Sequence, residues 1–266
     1  MFRGMKTITT CILSSAWMSL GCLVTAQAAS NNSAATPYDL SITAPVQVAS
    51  SDAAAAAFQS NVLPGLLTTV SQMLPDKQKL SNSQVAAMSL DPSQLVLNAD
   101  ASARVYFLGQ DKNFNNTLGI STTGGGPLSP DAALVFLGTD NNKKNSLAAG
   151  DFVDLGNFTA GTRLDFFLLA NGTNNGTFFS TNQSLNKDGI IHAVTLSANG
   201  SAYLILGFES TMNGGDRDYN DFLLAVEIKP SQVTGVGAPE PSLAFGAALA
   251  GLALFGCSRR RKSVAS

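Results

Sequence analysis

The chain has 266 residues, a formal net charge of −2 and 45% hydrophobic residues. This is enough apolar material for the core of one large domain or of two small ones. The near-neutral total excludes a nucleic-acid-binding protein that relies on bulk positive charge, and a single His excludes a His-rich zinc site.

Residues 1–28 have the organisation of a secretory signal peptide. A short basic segment precedes an apolar stretch, and Ala26-Gln27-Ala28 provides the small-x-small pattern that signal peptidase accepts, with cleavage after Ala28. An uncleaved anchor and a lipoprotein site at Cys22 are the alternatives. We therefore expect the chain to be exported across the inner membrane.

Residues 29–94 are predicted to form a polar arm followed by short helices. The best helical stretch runs from Asp52 to Leu74, with Ser50 or Ser51 as its N-cap. Pro64 predicts an interruption, which would give two short helices. The second of them has an apolar face made of Val62, Leu63, Leu66, Leu67, Val70, Met73 and Leu74.

Residues 95–229 have the pattern of a β domain. Short apolar runs are separated by turns rich in Gly and Asn. Several strands without intervening helices indicate an antiparallel β-sandwich or jelly roll, so the predicted fold class is mainly β. The predicted strands are residues 104–108, 132–137, 163–170, 190–196, 202–208 and 222–228, with weaker ones near 152–155 and 178–180.

The densest acidic segment lies between the last two predicted strands. Asp216, Asp218 and Asn220 stand at alternate positions, Asp221 follows, and Glu209 precedes Asp216 by seven residues. A tight loop can turn such oxygen ligands onto one Ca²⁺, which would relieve the repulsion between the carboxylates. These five residues are the predicted calcium ligands. The alternative is an acidic hairpin whose Asp side chains cap turn amides.

His192 has two interpretations. It can be a metal ligand or a general base near Asp188, or it can be a hydrogen-bonded structural His. We prefer the structural interpretation, because His192 lies in an apolar strand between Ile190 and Val194.

The β domain resembles a known family. The segments 207–209 (Gly-Phe-Glu) and 214–222 (Gly-Gly-Asp-Arg-Asp-Tyr-Asn-Asp-Phe) are similar to the C-terminal hallmark of the domain of unknown function 4114. The segment 186–192 (Asn-Lys-Asp-Gly-Ile-Ile-His) is similar to a motif further upstream, and the resemblance runs from about residue 107 to residue 228. It implies a secreted bacterial protein with suspected calcium binding and no established enzymatic activity. Ser210 departs from the family pattern, which commonly has Asp there.

Residues 230–238 form a predicted linker to a second signal at residues 239–262. The signal begins with Pro239-Glu240-Pro241 and continues with an apolar run of sixteen residues. A helix of that length spans about 24 Å, slightly less than a hydrocarbon core of about 30 Å. The basic cluster after it is predicted to lie in the cytoplasm by the positive-inside rule. This cluster contains Arg259, Arg260 and Arg261.

This order of motif, apolar helix and basic tail resembles the PEP-CTERM sorting signal of Gram-negative bacteria. The resemblance implies processing by exosortase, a membrane enzyme, and an association with the exopolysaccharide matrix. It implies transient anchoring in the inner membrane and delivery to the cell surface, the outer membrane or the extracellular matrix. An ordinary tail anchor is the alternative.

The two ends account for the unusual features of the composition. They contain all three Cys and the single Trp, and they leave ten basic against eighteen acidic side chains in residues 29–258, a net charge of −8. The body between them therefore cannot form disulfides or use thiol catalysis.

The predicted function is that of an exported, non-catalytic surface or matrix protein with a calcium-binding β domain. No enzyme is predicted, because the chain has no G-x-S-x-G nucleophile elbow and no cysteine in its body. One alternative is a carbohydrate-binding module for exopolysaccharide, and a less favoured one is a secreted hydrolase. The stacking platforms for a sugar would be Tyr38, Tyr106, Tyr203 and Tyr219.

Overall fold

The computed structural model describes residues 36–88, 95–110, 115–139, 146–171, 177–197, 201–228 and 233–234. The predicted signal peptide, the Pro-Glu-Pro motif, the apolar run and the arginines after it lie outside these residues. Within the described residues, no helix is long and apolar enough to span a bilayer. The described part of the chain is mainly β, as the sequence predicts.

The strands form two five-stranded sheets and a small two-stranded one. The first sheet has the order β1-β5-β4-β7-β8 and the second the order β6-β3-β11-β10-β9, while β2 pairs with β12. Neighbours are antiparallel, except that β1 is parallel to β5. The strands of the described residues are β1 (Ser41–Ile42), β2 (Val96–Leu97), β3 (Ala101–Gln110), β4 (Asn116–Ser121), β5 (Ala133–Thr139), β6 (Phe152–Phe158), β7 (Asp165–Leu169), β8 (Phe178–Ser180), β9 (Ala193–Ser197), β10 (Tyr203–Phe208), β11 (Phe222–Glu227) and β12 (Val233–Thr234).

Side chains from both large sheets form one buried core, which gives the domain a sandwich-like architecture. Val105 and Phe107 of the second sheet pack in the same cluster as Leu118 and Phe136 of the first. In β11 the side chains alternate, so that Leu224 lies in this core and its neighbour Leu223 lies on the opposite face of the sheet. Both faces of the second sheet are buried, which explains why β11 is apolar at nearly every position.

A helical layer covers the outer face of the second sheet. It consists of α1 (Ala53–Ala57), a π-helical turn (Phe58–Val62), α2 (Leu63–Met73) and α3 (Asn82–Ala87). Phe58 stacks on Tyr106 of β3 with 3.7 Å between the ring centroids. The buried residues of the layer include Phe58, Leu63, Leu66, Val70 and Leu74. The predicted apolar face is confirmed except at Leu67, which is 38% exposed.

Two details of the helical prediction are wrong. The N-cap of α1 is Asp52, not Ser50 or Ser51, because Asp52 Oδ1 accepts a hydrogen bond from the Ala55 N–H (2.6 Å). At Pro64 the chain does not break. Pro64 lies in the first turn of α2, where its missing N–H costs little, and the π-helical turn joins α1 to α2 directly.

The eight predicted strands are all present, most of them with shifted ends, but β4 and the two-residue strands β1, β2 and β12 were not predicted. The sequence of β4 begins with Asn116 and Thr117 and contains Gly119, so the alternation that indicates a strand is interrupted. The structure places β4 between β5 and β7 with every residue buried. The Phe167 ring covers Gly119, since a Cβ there would lie 2.2 Å from that ring.

Candidate metal centre

The acidic loop, residues 209–221, connects β10 to β11 at one end of the second sheet. Its two ends are held together because Phe208 and Phe222 are cross-strand partners in the antiparallel pair. The carboxylates predicted from the sequence therefore lie in the loop at the end of the β10–β11 hairpin. A short 3₁₀ turn, Met212–Gly214, reverses the chain within the loop.

Three of the predicted ligands converge in space. One carboxylate oxygen each from Glu209, Asp216 and Asp218 lie within 4.8 Å of one another. Oxygens on opposite sides of one Ca²⁺ are about 4.6–5.2 Å apart, given Ca–O distances of about 2.3–2.6 Å. The three carboxylates are thus close enough to share one such ion.

Glu209 is almost fully buried, with 1% of its surface exposed. Its Oε1 accepts from the Thr211 N–H (3.2 Å) and its Oε2 from the Arg217 N–H (3.1 Å). Burial raises the pKa of the Glu209 carboxyl, and the hydrogen bond and negative charge of Asp221 raise it further. A bound cation would offset both the burial and the repulsion.

Asp218 is equally buried and is held from two sides. Its Oδ2 accepts from the Lys77 N–H (2.8 Å), and its Oδ1 accepts from the Asn220 N–H (3.2 Å). Burial raises the pKa of Asp218 above its ordinary value. Asp216 differs from the other two because it is exposed, so the cluster is open to solvent on one side.

The backbone of the loop adopts a conformation that side chains rarely tolerate. Asn213, Arg217 and Tyr219 have φ values of 63°, 60° and 56°, although none of them is glycine. Gly215 also has a positive φ (42°), and a Cβ there would lie 2.3 Å from Glu209 Oε1. Strained backbone of this kind persists only where its surroundings hold it, and it concentrates at functional sites.

The other two predicted ligands lie around the three-carboxylate cluster. Asp221 Oδ2 accepts from both the backbone N–H (2.6 Å) and the hydroxyl (2.8 Å) of Ser210. The Ser that departs from the family pattern therefore anchors Asp221. Asn220 contacts the cluster through its backbone N–H, which orients Asp218.

His192 is buried and has a hydrogen-bond partner at each ring nitrogen, an environment that fits the structural interpretation. It is fully buried and stacks on Phe179 with 4.0 Å between the ring centroids. Its Nδ1 lies 2.9 Å from the carbonyl oxygen of Glu209, and its Nε2 lies 2.9 Å from Asp188 Oδ2. Both ring nitrogens are thereby occupied, and the ring fixes the start of the acidic loop.

Asp188 has a larger role than the sequence indicates. It accepts hydrogen bonds from His192, from the Asn213 N–H (2.8 Å) and from the Ile190 N–H (3.1 Å). Burial acts to raise the pKa of Asp188, but these hydrogen bonds outweigh it and hold the pKa below its ordinary value. The segment 186–192 thus holds the acidic loop at two points, the Glu209 carbonyl oxygen and the Asn213 N–H.

Sequence reasoning missed Lys77, which contributes to the site, and Asp165, a buried carboxylate outside the site. Lys77 donates to Asp218 from a position 141 residues away in the chain, and no local pattern signals such a contact. Asp165 is buried at the base of β7 and accepts from the hydroxyls of Ser180 (3.0 Å) and Thr181 (2.5 Å). An isolated Asp beginning an apolar strand was the available signal for Asp165.

The comparisons with known proteins bear on the same part of the chain. Neither the curated proteins nor the solved structures gave a match. The acidic loop, His192, Asp188 and Asp165 all fall inside a region that does match a family model. Residues 158–229 contain the domain described as "Domain of unknown function (DUF4114)", as the motifs in the sequence indicate.

Proposed function

We propose that this chain is an exported, non-catalytic surface or matrix protein whose β domain binds Ca²⁺ at the acidic loop. The observation that carries the proposal is the convergence of Glu209, Asp216 and Asp218, with their oxygens within 4.8 Å of one another. Two of these carboxylates are almost fully buried. Buried carboxylates in a cluster are costly unless a proton or a cation compensates them.

The chemistry of the donors favours calcium over softer metals. The cluster offers carboxylate oxygens only, and hard cations such as Ca²⁺ prefer oxygen ligands. His192, the only imidazole, is committed to hydrogen bonds with Asp188 and with the Glu209 carbonyl. These contacts support a role in which the His192 ring fixes the backbone at Glu209 and the three carboxylates bind the cation.

Export and sorting are proposed from the two ends of the sequence. The signal-peptide pattern supports passage across the inner membrane, and the Pro-Glu-Pro motif with its apolar run and arginines supports processing by an exosortase-type enzyme. The body between the two signals, residues 29–238, has ten basic and seventeen acidic side chains, a net charge of −7, and no cysteine, which is compatible with a calcium-containing exterior.

The carbohydrate-binding alternative has less support. Sugar recognition commonly uses exposed aromatic rings, and Tyr106 and Tyr219 are buried with 0% and 3% of their surface exposed. Tyr203 is half-buried and Tyr38 is 38% exposed. A glycan array probed with the purified protein separates this alternative from simple calcium binding.

The proposal is tested by thermal unfolding of the purified protein in calcium and in chelator. A ligand that binds only the folded state at about 100 times its Kd stabilises by about 2.7 kcal/mol. For a domain of this size we expect the Tm to rise by roughly 5–10 °C. Equal midpoints from chelator to millimolar calcium would contradict the proposal.

Two variants control the experiment. Asp216→Asn removes the charge of the exposed ligand and leaves the buried ones in place, so it should abolish most of the calcium-dependent rise. Asp39→Asn changes another exposed Asp, at the edge of the first sheet, and should keep the full rise. A rise that is equal in both variants would place the calcium site elsewhere.

A further inference from the structure

The chain between α2 and α3 lies directly on the acidic loop. We call this chain together with the first residue of α3, residues 74–82, the connecting segment. Beside the hydrogen bond from Lys77 to Asp218, the Leu80 N–H donates to the carbonyl oxygen of Arg217 (3.0 Å). In return, Arg217 Nη1 donates to Asn82 Oδ1 (3.1 Å). Each of these contacts joins the helical layer to the strained part of the loop.

Apolar contacts fasten the same two segments together. Leu74 and Leu80 are buried, with 2% and 3% of their surface exposed, in the cluster that contains Tyr219. A Cβ on Gly207 would lie 2.8 Å from Leu74 Cδ1 and 2.3 Å from the Tyr219 carbonyl oxygen. The loop therefore packs between the end of the sheet and the connecting segment.

We propose that the connecting segment positions the cation ligands, so that cation binding at the acidic loop and docking of the helical layer on the sheet are coupled. The inference rests on the proposed function. It concerns residues outside the matched region 158–229, so it goes beyond what the DUF4114 match covers.

Asp218 is the residue that links docking of the connecting segment to cation binding. This buried carboxylate has a fixed orientation because the Lys77 N–H holds one of its oxygens, and partners of this kind commonly tune the affinity of a metal site. If docking of the connecting segment raises cation affinity, the cation must favour docking by the same factor. A cation that binds the loop therefore also holds the helical layer in place.

Amide hydrogen exchange of the purified protein, read at the connecting segment, tests this coupling. We expect calcium to slow exchange at the Lys77 and Leu80 amides by about tenfold, within the usual range of coupling between two sites. The Asp216→Asn protein should exchange like wild type in chelator and should show no slowing with calcium, because Asp216 makes the site without contacting the segment.

The positioning role is tested by calcium affinity, which a merely structural role would leave unchanged. Asn82→Ala removes the acceptor for Arg217 and should raise the Kd for calcium several-fold. Asn82→Asp keeps an acceptor for Arg217 and should have a Kd close to that of the wild-type protein. Gln78→Ala changes an exposed side chain of the same segment and is the matched control.

The outcomes separate the two proposals. Calcium binding in titration calorimetry with unchanged exchange at Lys77 and Leu80 overturns the coupling and leaves the proposed function intact. An unchanged Kd in Asn82→Ala overturns the positioning role. No calcium binding by the wild-type protein overturns the proposed function and the coupling together.

Discussion

Gly207 lies in β10 at the point where the acidic loop returns across the sheet. Backbone and side-chain atoms of other segments occupy the space that a Cβ would need, the nearest being the Tyr219 carbonyl oxygen at 2.3 Å. Gly109 lies in β3 of the same sheet, and its Cβ would meet no atom within 4 Å. The two glycines differ in the space that a Cβ would find, which makes them a useful pair for comparison.

We predict that Gly207→Ala destabilises the protein by about 1–3 kcal/mol, the usual cost of overpacking a close contact. The added methyl must push Tyr219 or Leu74 away, so the acidic loop should also lose calcium affinity. Urea unfolding with circular dichroism measures the free energy of unfolding, and calorimetry measures the affinity.

Gly109→Ala should change the free energy of unfolding by less than about 0.5 kcal/mol, because the added Cβ would meet no atom within 4 Å and so would cause no overpacking. Equal destabilisation by the two substitutions would mean that a general intolerance of Ala in these strands, and not the contact with Tyr219, explains the loss.

At the scale of elements, one arginine joins the helical layer to two strands. Arg104 of β3 pairs with Asp52 at the N-terminus of α1 (Nη2–Oδ2, 2.9 Å) and with Asp154 of β6 (Nε–Oδ1, 2.6 Å). Its guanidinium lies 4.1 Å from the centroid of the Phe152 ring. Hydrogen bonds from Arg104 and from the Ala55 N–H hold the pKa of Asp52 below its ordinary value of 3.8.

This ion pair predicts a pH dependence of stability. The folded-state pKa of Asp52 is lower than the unfolded one, so its stabilisation is present above about pH 4 and is lost as the pH falls through the folded-state pKa. Asp52→Ala also removes the N-cap and should cost about 0.5–2 kcal/mol at pH 7. Urea unfolding of the wild-type and Asp52→Ala proteins at several pH values measures the difference in their free energies of unfolding. We expect this difference to become smaller below pH 4.

Asp76→Ala is the control for this experiment, since the Asp76 side chain is 76% exposed and its ion pair with Lys77 is long (3.8 Å). Exposed pairs of this kind contribute little, so we expect Asp76→Ala to leave the free energy of unfolding at pH 7 nearly unchanged. If the free energies of unfolding of wild type and Asp52→Ala differ by the same amount from pH 7 to pH 3, the Asp52 charge does not contribute to stability.

At the scale of the whole molecule, the described residues form three layers. The first sheet packs on the second, and the helical layer packs on the far face of the second. The arm before α1 joins the two sheets at their edges, because β1 pairs with β5 and Gln47 bridges to Phe152 of β6. Truncation of this arm would therefore expose the edges of both sheets.

The predicted sorting signal is tested by mass spectrometry of the protein recovered from its native host. We expect a mature chain that begins at Ala29, ends near Pro241 and lacks Arg259, Arg260 and Arg261. Replacement of Pro239-Glu240-Pro241 by three alanines should leave the basic tail attached. An intact tail in the wild-type protein would contradict exosortase-type sorting and favour an ordinary tail anchor.

The sequence by itself determined the strands that are short apolar runs between turns, and it also singled out the acidic loop. β10 and β11 were predictable because each is a short apolar run bounded by turn residues, which is a local property of the chain. The proposed calcium ligands were predictable from local sequence as well. One short loop contains all three converging carboxylates, those of Glu209, Asp216 and Asp218. The motifs around them also identified the family that residues 158–229 match.

Only the tertiary structure decided what depends on contacts between distant segments. β4 is a strand because β5 and β7 satisfy its backbone and Phe167 covers Gly119, although its own pattern is irregular. Asp52, and not a serine, caps α1, and the same carboxylate also meets Arg104 of β3. Lys77 reaches Asp218 because the helical layer docks on the sheet, and such a contact depends on packing energy that no local sequence pattern encodes.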